Sequence, residues 1–426
     1  MNPAASSDTP PRRAGLRPAR RWLTGPLALA LASAVWLPSV HWLFVRPPET
    51  YLADSTGGVA PHPRALADRQ LTLWTDPDLK ARELARMRGR NAEWDFMGRS
   101  FLVWSLSEMS LRDPASAPRH LAVADEIIDE TLRLEREHGQ TVFLLPYASR
   151  RPWVVRPARS LFVDGEIALM LAMRRMADDK PAYHDALAER VDAMVSRLQA
   201  SPLLVSESYP DECWLFDHAI ALAAIRLADH LDGTDHSAFL RTWLSEARRR
   251  FTDPRTGLLV SSFSTAGDIG DGPEGSSIWG ALHFLRLVDE DFARAQYALA
   301  RRELAHGLGG FAWSREWPRS AAVHEAALDV DSGMIIPGLD ISAGGSGLAF
   351  IGASSFGDAD YLGRLHATLD FAAFPLREHG GLRYCASNLV GDAVLLYAGV
   401  LGPIWNKVLA PARSALPAKS ATPDTL

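Results

Sequence analysis

Six segments of this chain open on acidic residues and run into apolar helices rich in small residues. They are Asp95 in EWDFMGRSFLVW, Asp164 and Glu166 in SLFVDGEIALMLAM, Asp211 and Asp217 in YPDECWLFDHAIAL, Glu274 in GPEGSSIWGALHFL, Asp331 in DVDSGMIIPGL ahead of SAGGSGLAFIGA, and Asp392 in NLVGDAVLLYAGVL. The starts recur at intervals of about 45–70 residues, the self-similarity of a repeat architecture. Between them lie charged, amphipathic segments such as AYHDALAERVDAMVSRL, HSAFLRTWLSEARRR and EDFARAQYALARRELA. A helix apolar all round belongs in an interior and an amphipathic one outside it. Long alternating β-branched runs are missing, so the strand signal is slight. The pattern predicts an all-α fold, an (α/α)6 toroid of six helical hairpins over residues 71–410. In a closed ring the acidic starts converge on one end around a cavity; an open solenoid would lay them in a row.

The densest of these starts is SESYPDECWLFDHAIALAAIRL, residues 206–227. Glu207, Asp211, Glu212 and Asp217 stand there among Tyr209, Trp214 and Phe216. Pro210 suits a first helical turn, and carboxylates near a helix N-terminus are favoured by its dipole. Capping accounts for one or two acids. Four acids with three aromatics and Cys213 read instead as a polar cluster in an apolar cleft.

The formal net charge of −6 and pI near 6.1 offer no basic field for a nucleic-acid backbone. Thirteen tryptophans, several beside acids, suit an apolar or sugar-like ligand. Cys213 and Cys385 are the only cysteines. They open the third and sixth units, on opposite sides of a closed ring, so no bridge between them is expected. Residues 22–46 are nearly all apolar and long enough for a transmembrane anchor. Arg12, Arg13, Arg17, Arg20 and Arg21 in the 1–21 tail keep that end cytoplasmic, which exports the body. A cleaved signal peptide is the competing reading. Residues 47–70 read as a linker and 411–426 as a disordered tail. The run from Ala393 to Trp405 is too short for a second span and reads as core.

Along YPDECWLFDHAIALAAIRLADHLDGTDHSAFLRTWLSEARRRFTDPRTGLLVSSF the chain resembles the linalool dehydratase/isomerase family, through Pro210-Asp211, the turn Gly233-Thr234-Asp235 and Asp253-Pro254 with Gly257. Weaker similarity runs through Trp279, the DVDSG segment and Phe356 to Asp358, covering most of residues 90–400. The resemblance implies the same toroid, a cofactor-free lyase or isomerase acting on a terpenoid alcohol, and a ring-shaped homo-oligomer. It places the family's acidic residue of the first inner helix at Asp95. Its histidine falls at Glu166 and its two cysteines at Ser208 and Asp217. Three of those four groups differ in kind here, so a carboxylate scheme replaces a thiol-based one.

Dehydration or isomerisation needs a general acid on the leaving hydroxyl and a base for the departing proton. Two carboxyl groups in unlike environments can supply both. Asp217, two turns into its segment and beside Phe216, is the expected acid, with Asp95 or Glu166 as base. Ser208, Tyr209, Trp214, Trp279, Glu274, Asp331 and Cys385 are candidates for substrate contact. Asp211 and Glu212 are expected to cap and orient the helix, and Glu274 to stand in the turn before an N-cap serine. Asp329 is assigned a structural role, as are His218 and His324. No metal or cofactor is expected, since carboxylates alone at the DVDSG spacing make a weak ligand set. The same toroid with tryptophan-lined acids also suits a glycan-processing enzyme, a glycosidase or polysaccharide lyase, and the third possibility is a non-catalytic envelope binding protein.

Overall fold

The computed structural model describes residues 19–52, 58–321, 329–330, 333–378 and 380–410. Asp331 and His324, and the tail beyond residue 410, lie outside the described residues. Fifteen α-helices follow one another: α1 Ala19–Val40, α2 Pro61–Thr75, α3 Pro77–Arg90, α4 Ala92–Arg112, α5 Ala117–His138, α6 Leu161–Ala177, α7 His184–Ala200, α8 Leu215–Asp232, α9 Ser237–Arg250, α10 Gly275–Leu285, α11 Glu290–Glu303, α12 Ala343–Phe356, α13 Ala359–Ala372, α14 Leu389–Val400 and α15 Pro403–Leu409.

The ring closes. α4 packs on α6, α6 on α8, α8 on α10, α10 on α12, α12 on α14, and α14 returns to α4. These six are the helices that read as apolar all round, and α6 and α8 are buried over nearly their whole length. Outside them, α5 covers α4 and α6, α7 covers α6 and α8, α11 covers α10 and α12, and α13 backs α12. α9 backs α8, its Trp243 stacked on His218 at 6.0 Å, and the sixth outer position is taken by α2, which packs on α14 and so joins the two ends of the chain. This helix begins at Pro61 and buries Leu66, Leu71 and Leu73. The toroid therefore starts ahead of the expected boundary at residue 71, inside the stretch read as linker.

Helix starts are fixed by short polar caps, which satisfy N–H groups that have no partner within the helix. Asn91 accepts from Trp94 N–H at 3.1 Å, Ser160 from Val163 at 3.3 Å, Ser342 from Gly345 at 2.9 Å and Asn388 from Gly391 at 2.8 Å. All four open inner helices. The opposite end of the ring is plugged by α15, which lies against α4 and α6. Trp405 stacks on His283 at 4.3 Å and donates to its carbonyl at 3.1 Å. Glu108 accepts from the Gly402 and Ile404 amides at the start of α15, and burial pushes it up to about 7. The opposite end, where the inner helices begin, is called the mouth below.

Short strands sit in the loops at the mouth: β1 Cys213–Trp214, β2 Ser262–Phe263, β3 Ala305–Leu308, β4 Phe311–Ser314, β5 Asp329–Val330, β6 Gly333–Ile336, β7 Ile341–Ser342, β8 Pro375–Glu378 and β9 Gly381–Tyr384. β1 pairs with β2, with Cys213 opposite Phe263; β8 and β9 form a hairpin; β3-β4-β7-β6-β5 make one antiparallel sheet. At two to four residues each, none is long enough to show a period-two pattern in sequence.

Residues 24–43, most of α1 and the turn after it, are long and apolar enough to cross a membrane, and their side chains are largely exposed. The chain then turns onto the body without a free spacer. Phe44 meets Phe371 edge-on at 5.3 Å, Arg46 pairs with Asp370 at 3.4 Å, and Tyr51 stacks on His366 at 4.0 Å.

Candidate active site

Carboxyl groups from three successive inner helices come together at the mouth: Glu93 of α4, Glu166 of α6 and Asp217 of α8. α6 and α8 approach closely because of Gly165, where an added Cβ would lie 3.3 Å from the backbone nitrogen of Ala221. On the far side of α8 the ring of Phe216 lies over Gly280 of α10, where a Cβ would stand 2.5 Å from it. Asp217 is held between these two close helix contacts.

Asp217 stands in the first turn of α8, which starts at Leu215 rather than at Pro210. Pro210 and Asp211 form a turn in which Tyr209 pairs with Glu212, and Asp211 sits at φ +59°. Asp211 is exposed and its carboxylate ties down Thr265, while Glu212 accepts from Tyr147; neither caps α8. A first-turn carboxyl is ordinarily stabilised as the anion by the helix dipole. Burial wins here. Asp217 is pushed up to about 7 by desolvation, against a hydrogen bond with Ser208 and with the added repulsion of Glu93.

Glu166 is fully buried and neither carboxyl oxygen has a hydrogen-bond partner among the described residues. Burial holds it well above the ordinary carboxylate range, and the charges of Asp217 and Glu93 act the same way. Ser100 stands alongside and works against the rise, though its hydroxyl donates to the Phe96 carbonyl at 3.2 Å. Glu93 is set differently. Tyr209 Oη accepts from the Leu145 amide at 2.9 Å, which leaves its own proton to donate to Glu93 Oε1. Glu93 thus presents an acceptor oxygen to that hydroxyl, and both neighbouring acids feel it as a negative charge. Two acids pushed towards the neutral form face a third that acts on them as a charge, an arrangement that can separate proton donors from a proton acceptor.

The surrounding loops are built to hold this cluster. Ser208 is buried, its carbonyl accepts from Ser160 at 2.7 Å, and its Oγ accepts from the Trp214 amide at 3.4 Å. Glu207 binds the amides of Val154, Val155 and Asp211 at 2.8–2.9 Å, pinning the 150–158 loop over the site. Tyr147 stacks on Tyr209 at 4.6 Å. Trp153, in the loop held by Glu207, and Trp214, whose amide meets Ser208, are half-buried; Trp94 is half-buried too but lies with Trp74, Asp95 and Leu389 in a crevice on the other side of α4.

Other expected site residues fall elsewhere. Asp95 is no base: its Oδ2 takes Arg88 at 2.6 Å and Arg99 at 3.3 Å, a buried ion pair on the outer face of α4. Trp279 is core, fully buried, with Nε1 on Ser314 Oγ at 2.7 Å and its ring against Tyr297 and Tyr361. Glu274 is buried and occupies the N-cap position of α10 itself, its amide on Ser261 Oγ at 2.9 Å. Cys385 is exposed after β9, and Cys213 is buried; both are free thiols. His218 is a core residue: Nδ1 donates to the Trp214 carbonyl at 2.7 Å, Nε2 accepts from Ser206, and burial lowers it to about 4.

Sequence reading missed Glu93. Two residues apart on a helix point about 200° from one another, so Asp95 and Glu93 lie on opposite faces. Arg99, one turn beyond Asp95, was the available signal that Asp95 faces a cation. Asp392, read as an acidic start but not as a site residue, stands in the first turn of α14, where burial pushes it up to about 7 and its Oδ1 is unpartnered among the described residues. A second omission, Glu316, staples α10 to α12 through the hydroxyls of Ser276 and Ser342. A groove of about 450 Å³ lies at the opposite end of the ring beside Ser110, Pro114 and Asp178, but its charges are matched, with Arg174 on Asp125 at 2.7 Å.

No family model matches the chain, and no curated protein matches it. Among solved structures it is similar to a selenomethionine derivative of the GH76 alpha-mannanase BT2949 of Bacteroides thetaiotaomicron, at 14% identity and a TM-score of 0.42, over 74% of this chain and 87% of that one.

Proposed function

We propose that the protein is an acid/base enzyme that breaks a carbon–oxygen bond, with Asp217 as general acid, Glu93 as the ionised partner and Glu166 as a neutral hydrogen-bond donor. The observation that supports it is the meeting of two buried carboxyls raised towards the neutral form with a third carboxyl group held by a tyrosine hydroxyl, at the end of the ring opposite α15. Asp217 gives its proton to the leaving oxygen. Glu93 takes the opposite role, activating water or balancing positive charge as the bond lengthens. Glu166 has both oxygens free to orient a hydroxyl of the substrate.

A glycoside is the substrate class that fits these groups best, because cleavage of a glycosidic bond needs one protonated and one ionised carboxyl group. The half-buried faces of Trp153 and Trp214 offer surfaces on which sugar rings can stack. The second reading, dehydration or isomerisation of a terpenoid-like alcohol, is favoured by one observation. Glu166, Ser208 and Asp217, the positions at which the resemblance puts that family's histidine and cysteines, lie in one cluster. The test incubates the full chain in detergent micelles with aryl glycosides of both anomeric forms and, separately, with tertiary allylic alcohols. Glycoside turnover that falls as pH rises through about 7 and is lost in Asp217→Asn and Glu93→Gln is the expected result. Turnover of the alcohols alone moves the second reading to first place. Glycoside turnover unchanged in both variants refutes the assignment of the site.

A further inference from the structure

Exposed large apolar side chains are not scattered over this protein. Apart from those on α1 and the turn after it, the ones among the described residues are Val154, Ile269, Leu308, Ile336, Leu339, Phe371 and Phe374. Every one lies in a segment between the end of an outer helix and the start of the next inner one, or in the last turn of an outer helix. All of them are therefore at the mouth, spread around its rim. Single exposed apolar residues are ordinary; seven confined to one end of a ring are not. The 150–158 loop adds exposed Arg150, Arg151 and Arg156 beside Trp153, with Asp268, Asp340 and Glu378 exposed elsewhere on the rim.

The same end receives the N-terminal helix. His41 and Phe44 contact Phe311 in the β3–β4 hairpin, and Phe44 also contacts Phe371 at the end of α13. Trp42 and Leu43, 73% and 70% exposed, continue the apolar surface of α1 directly onto the rim. With α1 read as a membrane span, about 33 Å long at 1.5 Å per residue, the junction leaves no length of chain that would let the mouth stand off from the bilayer.

From this continuity we infer that the mouth rim is a membrane-docking surface, seated in the interfacial layer of the bilayer that α1 crosses. Apolar tips with tryptophan and arginine beside them are the composition of an interfacial segment. The ring opening then faces lipid, and its substrate enters from the membrane as an amphiphile or lipid-linked molecule. The inference rests on the membrane reading of α1 and is independent of which carboxyl group does what.

Spin labels test it on the full chain reconstituted into vesicles of phosphatidylcholine and phosphatidylglycerol, in a Cys385→Ser background. Val154→Cys and Phe374→Cys probe the rim, Leu29→Cys probes α1, and Asp360→Cys, at the start of α13, probes the plugged end. The expected result is an oxygen-to-nickel-chelate accessibility ratio several-fold higher at both rim sites than at Asp360→Cys. Rim labels that read aqueous while Leu29→Cys reads bilayer overturn the docking and leave the anchor standing. An aqueous Leu29→Cys overturns both. Spin–spin broadening at Phe374→Cys, diluted away by unlabelled protein, shows the rim covered by a second copy and overturns the lipid assignment.

Discussion

Asp217→Asn should make the protein more stable above neutral pH, and the gain should vanish in acid. The substitution keeps the shape of the protonated side chain and a group that can bond Ser208. In the folded chain Asp217 holds its proton up to about pH 7, whereas the unfolded chain releases it near the ordinary value of 3.8. Between those values the unfolded state binds fewer protons than the folded one, so unfolding free energy falls as pH rises through that window and stays low above it. At 1.36 kcal/mol per pH unit, the penalty carried by the wild type at pH 8 is about 4 kcal/mol. Asparagine carries none of it. Urea unfolding of full-length wild type and variant in the same micelles, followed by tryptophan fluorescence at pH 4.5, 6 and 8, measures the difference. It should grow from about 1 kcal/mol at pH 4.5 through about 3 at pH 6 to about 4 at pH 8, with catalytic turnover lost at every pH. A variant less stable than wild type at pH 8, or offset by the same amount at pH 4.5 and 8, would show that Asp217 is an ordinary structural acid and refute the burial argument.

The other perturbations separate structural acids from working ones. Glu166→Gln should follow Asp217→Asn in sign, stabilising above neutrality and abolishing turnover, and the same urea series checks it. Asp95→Asn should do the reverse, costing about 1–3 kcal/mol because Arg88 and Arg99 lose the carboxylate they share while Arg99 keeps Glu130 at 3.0 Å; its penalty should be the same at pH 6 and pH 8. Tyr209→Phe removes the hydroxyl that accepts from the Leu145 amide and donates to Glu93, a loss of about 1–3 kcal/mol by thermal or urea unfolding, together with a fall in turnover. One thiol per chain, Cys385, should react with a water-soluble disulfide reagent in the native protein in micelles, and Cys213 only after unfolding.

The ring was readable because burial leaves a trace that composition can carry. The inner helices are surrounded by protein on every side, so α6 and α8 are apolar all round, while α11 and α5 keep a wet face and stay amphipathic. The position of α2 was not readable: its role as sixth outer helix depends on the far end of the chain arriving beside it. The mouth loops were hidden for a different reason. Their strands are two to four residues long, and pairs such as Cys213 with Phe263 are contacts across roughly fifty residues of helix. Reading α8 as starting at Pro210 followed from that gap, since proline and two acids resemble a first turn until β1 is known to intervene.

Arginine more than position separates the buried acids proposed for chemistry from the structural ones. Asp95, Asp164, Glu166 and Asp217 all lie near inner-helix starts and all are buried. Asp164 is surrounded by Arg159, Arg190 and Arg197, and Asp95 by Arg88 and Arg99, so both are compensated charges that fasten outer elements to the ring. Among the described residues Glu166 and Asp217 meet no cation at hydrogen-bonding distance; their neighbours are Ser100, Ser208 and other carboxyl groups. A buried carboxyl without a cation keeps its proton, and a buried neutral acid is unfavourable unless something other than stability retains it. Part of this is visible in sequence, because Arg99 follows Asp95 by one turn and Arg159 precedes Asp164 by five residues, while Asp217 has no arginine nearer than Arg226. Among acidic helix starts in such a ring, those without an arginine within reach are the ones to mutate first.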